Sequence, residues 1–333
     1  MTADRDLKAI IRARMSKTGE SYTTARMHLV GAQLVSPIPP PTASPLQAVP
    51  MLAEVAVLKV NELSARVRLL GSEEQITFRA TGACELIPGM IARLTMRKRW
   101  SYRGFEYASG DIEDARIDIP ALGLAPIPVT VDGESDGRSE YEPYRSRDPY
   151  YPLWRKITGK PKPELEFDEV AWRGSGEEES PVCDASEMIS RGEVDEARDL
   201  LMKVLCRDLR CIDAHVHLGN LLLDRYPRGA LLHYEMGVRL GEHALPRDLD
   251  AYIPWGMLYN RPFLRALHGY GLAHWRLGRL QEAKQIFERI LKLNPNDNQG
   301  VRFCWMDVRS GLSWDEASKH GACADDQQGL TLN

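Results

Sequence analysis

Apolar positions recur with two different periods along this chain, and the change between them divides it. Over residues 52–130 the period is two. The segments VAVLKV, SARVRLL and EEQITFRA alternate apolar with polar residues, are rich in β-branched side chains and are separated by short polar turns. That is the pattern of half-buried strands. Pro88-Gly89 marks a turn before MIARLTMRKRWSYRGFEYASGDIEDARIDI, which reads as a hairpin about Tyr102-Arg103-Gly104 followed by a closing strand. Short strands without a central helix predict a small β-barrel of OB or SH3-like type.

Over residues 181–320 the period becomes helical. Ala283, Phe287, Ile290 and Leu291 stand at i, i+4, i+7 and i+8, one apolar face of a helix that ends before Pro295. A preceding helix carries the small residues Ala266, Gly271 and Ala273, and Gly278 lies at the turn between the two. An earlier pair spans 183–210, with Gly192 at its turn and Ala197, Leu201, Val204 and Leu205 on its second helix. IDAHVHLGNLLLDRYPRGALLHYEMGVRLG supplies another, with Gly219 in mid-helix and Ala230 four residues before Tyr234. One such pair cannot bury its own stripe, and about three are normally required. VRFCWMDVRSGLSWDEASKHG would cap the stack. HALPRDLDAYIPWGMLYNRPF (243–263) interrupts the period with Pro246, Pro254 and Pro262.

The remaining segments connect and flank these two regions. Residues 1–35 predict a two-helix arm broken at Thr18-Gly19, with Leu7, Ile10, Ile11 and Met15 on the first face and Ala25, Leu29 and Ala32 on the second. Residues 36–51 hold six prolines between Pro37 and Pro50 and predict an extended linker. Residues 131–180 form an acidic, aromatic connector with Tyr141, Tyr144, Tyr150, Tyr151 and Trp154, expected to strap across a neighbouring surface as an ordered loop. Residues 321–333 are a tail. The expected architecture is therefore α+β and multidomain, a small barrel followed by an all-α repeat domain, with an N-terminal helical arm.

The segment 264–297, LRALHGYGLAHWRLGRLQEAKQIFERILKLNPND, strongly resembles a tetratricopeptide repeat. Gly271, Gly278, Ala283, Phe287 and Pro295 fall where that repeat wants small, turn, small, large and terminating residues. Leu267 and His274 depart from its usual aromatic sites. The stretch IPWGMLYNRPFLRALHGYG and LNPNDNQGVR beyond it look like a segment of bacterial repeat proteins of this kind, with a looser likeness to the ST7-like proteins. The resemblance implies a non-enzymatic adaptor that holds a protein or peptide partner in a groove. Within that stretch Asn260, Arg261, Arg265, His268, Asn298 and Arg302 are the candidate partner-binding residues. Arg261 and Arg265, four apart, would clamp a carboxylate if the helix begins by Arg261. The alternative for Arg261 and Asn298 is that they cap helices and pin the insertion.

Composition narrows the classes further. A net charge of −4, with 43% apolar and 27% charged residues, fits a globular protein and excludes a uniformly basic nucleic-acid coat. Local basic stretches remain. TGESYTTARMHL resembles the turn and second helix of a helix-turn-helix DNA reader, which would aim Tyr22, Thr23, Thr24 and Arg26 at a groove. The hairpin interleaves Arg93, Arg97, Lys98, Arg99 and Arg103 with Trp100, Tyr102, Phe105 and Tyr107. Cations beside aromatic faces are what a single strand needs. With unbroken alternation Trp100 and Tyr102 would share one side, Arg99 and Arg103 the other, and the rings would face the barrel core. A nucleic-acid-associated regulator is thus the second reading, resting on Arg26, Arg97, Arg99, Trp100, Tyr102 and Arg103.

Other chemistry finds little footing. The six cysteines show no CxxC pair, as expected of reduced thiols in a cytoplasm. His215 and His217, two apart on a helix, point about 200° apart and predict one core and one surface imidazole rather than a metal pair. No GxxxxGK followed by Ser or Thr, and no HExxH or GxGxxG, occurs, so no catalytic residue, metal or cofactor is expected. No apolar run approaches the ~18 residues that span a bilayer, and MTADRDLKAI lacks the apolar core of a signal peptide. The expectation is a cytoplasmic, bacterial protein without a membrane partner.

Overall fold

The computed structural model describes residues 50–61, 63–138, 146–168 and 180–319. The expected arm, with Arg26, and the tail lie outside the described residues.

The period-two region closes into a five-stranded barrel from β1 (Met51–Asn61), β2 (Ser64–Leu69), β3 (Gln75–Arg79), β4 (Met90–Tyr102) and β5 (Phe105–Ile117), in the order β1-β2-β3-β5-β4. Neighbours run antiparallel except β3 and β5, which are parallel. Alternation does the sorting: Ala65 and Val67, Ile76 and Phe78, and Leu94 and Met96 turn inward and are buried. The β4–β5 hairpin closes at Arg103-Gly104, both with positive φ (50° and 77°), the two-residue turn that suits strand twist.

The hairpin carries a bulge that the strand pattern did not anticipate. Met96 pairs with Gly110 and Lys98 with Ser109, so Arg97 is an extra residue on β4. Gly110 makes room for it, since a Cβ there would lie 1.8 Å from the Thr95 carbonyl oxygen. Leu94 and Met96 face the core before the bulge. After it the phase reverses, and Lys98, Trp100 and Tyr102 fall on the outer face.

Where it is described, the stretch from the barrel through the connector is more regular than a strap. A short α1 (Ile119–Leu122), whose Ala121 N–H donates to the Asp118 side chain at 3.2 Å, leads to β6 (Val129–Ser135). This pairs antiparallel with β7 (Lys162–Phe167) around α2 (Tyr151–Ile157). Tyr150 and Trp154 are 1% exposed, so these aromatics fill a core rather than decorate a loop.

Three antiparallel helix pairs follow: α3 (Pro181–Ser190) with α4 (Val194–Arg207), α5 (Ile212–Leu223) with α6 (Pro227–Ala244), and α7 (Arg261–Arg276) with α8 (Leu280–Leu293). Helices α9 (Val301–Arg309) and α10 (Trp314–Lys319) cap them. The expected second-helix faces are buried throughout: Ala197, Leu201, Val204 and Leu205 in α4, and Ala283, Phe287, Ile290 and Leu291 in α8. Gly271 lets α7 close on α8, because a Cβ there would meet the Phe287 ring at 2.4 Å. Barrel and helices share one continuous apolar core, with Met236 of α6 packed against Gly89 and the Cys206 thiol of α4 donating to the Leu58 carbonyl. The first helix pair adds a smaller core of its own.

Candidate functional site

The insertion before α7 is built as a knuckle. Ile253 N–H donates to Leu293 O at 2.8 Å, and Tyr252 exchanges backbone bonds of 2.9 Å with Pro163 and Leu165 of β7. These bonds anchor one end, and Asn260 anchors the other. Its Oδ1 accepts from Phe167 N–H (3.0 Å), and its Nδ2 donates to Leu165 O (2.8 Å) and Pro254 O (3.0 Å). Asn260 is 0% exposed, and its side chain is committed to pinning the insertion rather than lying on the surface.

Helix α7 begins at Arg261, which puts Arg261 and Arg265 on one face. Both guanidiniums lie over the half-buried Trp255 ring, at 5.3 and 5.6 Å from its centroid. Arg261 Nε donates to Trp255 O (3.2 Å). Arg265 Nη1 donates to both carboxylate oxygens of Asp213 on α5, at 3.2 and 3.4 Å. The clamp geometry exists, but its carboxylate comes from this chain. A second ion pair, Arg276 with Asp224, ties the same two helices three turns further on.

The remaining expected residues divide. His268 is 2% exposed and packs edge-on to Phe287 at 6.1 Å. Burial pushes its imidazole down to about 4, so it is a neutral core residue. Asn298 is exposed on the α8–α9 loop. Arg302 pairs with Asp297 (2.7 Å) and Asp148 (3.0 Å), with its guanidinium 4.2 Å from the Phe303 ring centroid. Burial pushes the Asp297 carboxyl up to about 6 against the opposing pull of Arg302. Trp255 N–H reaches Asn294 Oδ1 at 3.4 Å, which sets the knuckle beside that loop. Exposed Leu258 (58%) and Tyr259 (36%) and half-buried Met257 crown the knuckle. Trp255, Leu258 and Tyr259 belong to no motif; apolar residues in a proline-broken, irregular segment are the only sequence signal that marks them.

The helical core holds other imidazoles. His215 and His233 are buried with their Nδ1 atoms 3.2 Å apart, one donating and one accepting. Burial drives His215 down to about 3 and His233 well below its ordinary value. His217 is also buried, at 7% exposure, so the expected surface imidazole is absent. The intervening faces of α5 are covered by α6 and α7 alike, which a single-helix projection cannot reveal. The Cys211 thiol, pushed up to about 12 by burial, stays protonated.

On the barrel, the basic residues of the hairpin do not act alike. Arg97 is bonded to Asp111 (2.7 Å), and Arg99 pairs with Glu74 and Glu106. The Ser101 hydroxyl and Arg99 together hold the Glu106 carboxyl below its ordinary range. The rings expected to face the core point outward instead, because the bulge at Arg97 reverses the strand phase. Trp100 and Tyr107, paired across the ladder, stand 5.7 Å apart at 10°, and Arg79 of β3 lies over both, 6.0 and 5.7 Å from the centroids. Tyr102, 50% exposed, pairs with Phe105, 55% exposed, and Arg103 stands 5.2 Å from the Tyr102 ring. Arg79 was not singled out from the sequence, because nothing local places it beside a strand 28 residues on.

Residues 264–297 match the tetratricopeptide repeat family model. The helical region therefore contains a tetratricopeptide repeat, a kind of module that generally mediates protein–protein interaction and is typically non-catalytic. No curated protein and no solved structure matches the chain, so the likeness to ST7-like proteins finds no counterpart. Among the described residues no helix is long and apolar enough to cross a membrane.

Proposed function

We propose that this chain is a non-enzymatic adaptor whose helical domain holds a protein segment against the knuckle and the adjoining α8–α9 loop. The observation that carries this reading is the exposed Leu258–Tyr259 crown standing at the start of the α7–α8 pair that matches the repeat model. Loops positioned by a rigid scaffold often carry binding residues, and tyrosine is among the residues that dominate interface energies. Trp255, braced by Arg261 and Arg265, supplies the base. Asn298 and Arg302, beside exposed Phe303, extend the contact surface. We read the barrel, with β3 parallel to β5 in a 1-2-3-5-4 order, as OB-type, and the protein as a scaffold joining barrel and repeat domain. The test is affinity capture from the native host under nuclease, comparing the wild-type chain with Leu258→Asp. Partners that survive nuclease and are lost with the variant support the reading. An identical set captured by both chains would remove the knuckle from it.

A further inference from the structure

The outer face of the barrel at β3, β5 and β4 carries a second surface, independent of the helical domain. Its composition follows from strand register. Thr77 pairs with Tyr107 and Arg79 with Ser109 across the parallel β3–β5 ladder; Tyr107 pairs with Trp100 and Ser109 with Lys98 across β5–β4. Side chains directly opposite share a face, so Arg79, Lys98, Trp100 and Tyr107 stand together on one side. Tyr102 and Phe105 continue the same face to the hairpin tip. The opposite side begins at buried Ala108, paired with Arg99.

Charge is sorted along with the rings. Arg97 and Arg99 are answered by Asp111, Glu74 and Glu106. Arg79, Lys98 and Arg103 are exposed, and none has a carboxylate partner among the described residues. In a chain of net charge −4, three cations left unmatched beside four outward aromatic rings are a local departure from the whole. Core packing does not account for them, because none of these rings belongs to the buried set. The guanidinium of Arg79 lies near the outer limit of a cation–π contact, which is about 6 Å, so it is available to a ligand as well as to the rings.

We infer that this face binds single-stranded nucleic acid, with Trp100 and Tyr107 as base-stacking plates, Tyr102 and Phe105 extending them, and Arg79, Lys98 and Arg103 neutralising phosphates. Rings nearly parallel to one another match successive bases, and the interleaved cations match the backbone that links them. An acidic peptide would use the charges and leave the parallel plates without a role. A duplex hides its base faces and would use only the charges.

The experiment is fluorescence anisotropy of labelled oligothymidylate and oligouridylate with the full chain, with a duplex of equal length and polyglutamate as competitors. The expected result is single-strand binding that outcompetes both, with log K falling against log salt with a slope of about −2, as three phosphate contacts require. Trp100→Ala is expected to weaken binding about tenfold or more, and Arg79→Gln severalfold. Arg99→Gln, whose charge Glu74 and Glu106 already match, is expected to change it by less than about twofold. Arg79→Gln sits at an exposed strand position, so it keeps the test open if Trp100→Ala does not fold. Absence of binding at low salt overturns the inference. So does binding that ignores both Trp100→Ala and Arg79→Gln, which would place it on the arm around Arg26. Equal loss for Arg79→Gln and Arg99→Gln, or displacement by polyglutamate as effective as by the oligonucleotide, also overturns it.

Discussion

Two clusters in this molecule use the same pieces and reach opposite ends. At Trp255, Arg261 and Arg265 lie over one ring, Arg261 is bonded to the Trp255 carbonyl, and Asp213 closes Arg265. At Trp100 and Tyr107, Arg79 lies over two rings and no described carboxylate answers it. The first cluster braces α5 and α7 and holds the knuckle. The second leaves its charge facing solvent. An arginine over an aromatic ring is therefore not in itself a sign of a site; what decides is whether the fold supplies the counter-charge.

The helical region differs from the barrel in a further respect that acid should expose. His215, His217, His233, His268 and His274 are buried there, and residues 50–168 contain no histidine. Burial lowers each of these imidazoles, to about 3 for His215 and about 4 for His268. A lowered imidazole means that the unfolded chain binds more protons than the native one. Stability is thus complete above the unfolded value near 6.5 and is lost as pH falls below it, by up to about 1.4 kcal/mol per pH unit for each buried group. Urea titrations at pH 7.5 and 5.5 should show a loss of several kcal/mol in total. An unchanged midpoint would mean that these imidazoles are not held neutral.

Breaking the bulge is the next largest change. Gly110→Ala sets a Cβ against the Thr95 carbonyl, a backbone atom that cannot move aside. We expect a loss of about 3 kcal/mol, at the upper end of overpacking costs, read as a fall in melting temperature. A neutral result would mean that the bulge does not depend on this glycine, and the outward turn of Trp100 would need another cause.

Ala283→Trp tests the repeat register in the same way, at 0% exposure on the face of α8, with an expected cost of about 2 kcal/mol. A variant as stable as the parent would put Ala283 outside the helix contact.

The comparison itself is sharpened by a matched pair. Arg265→Ala strands Asp213, whose side chain is 24% exposed, and strips one guanidinium from Trp255. Because the pair is only partly buried, we expect about 1–2 kcal/mol rather than the full cost of a buried ion. Arg79→Ala should cost under about 0.5 kcal/mol, as an exposed residue without a charge partner. Equal losses in chemical denaturation would erase the distinction between brace and platform.

Much of this was legible locally. The strand segments, the hairpin turn at Arg103-Gly104, the turns at Gly192 and Gly278, and the buried faces led by Leu201 and Phe287 all follow from periodicity and from which residues tolerate positive φ. The candidate site is legible only as a region: the spacing of four puts Arg261 and Arg265 on one face of a helix that does begin at Arg261, but no local pattern shows that Asn260 and His268 are buried. Periodicity assigns a residue to a face of its own element and says nothing of what covers that face. Asp213 reaches Arg265 across 52 residues, and β7 reaches Asn260 across more than 90. The bulge at Arg97 shifted one strand by one residue and moved its aromatic row from core to solvent. The elements were thus the sequence's own doing, through short-range sterics and hydrophobic period. Which charges were matched, and which rings met water, was decided only when distant elements closed on one another, because burial and counter-charge belong to the packed molecule.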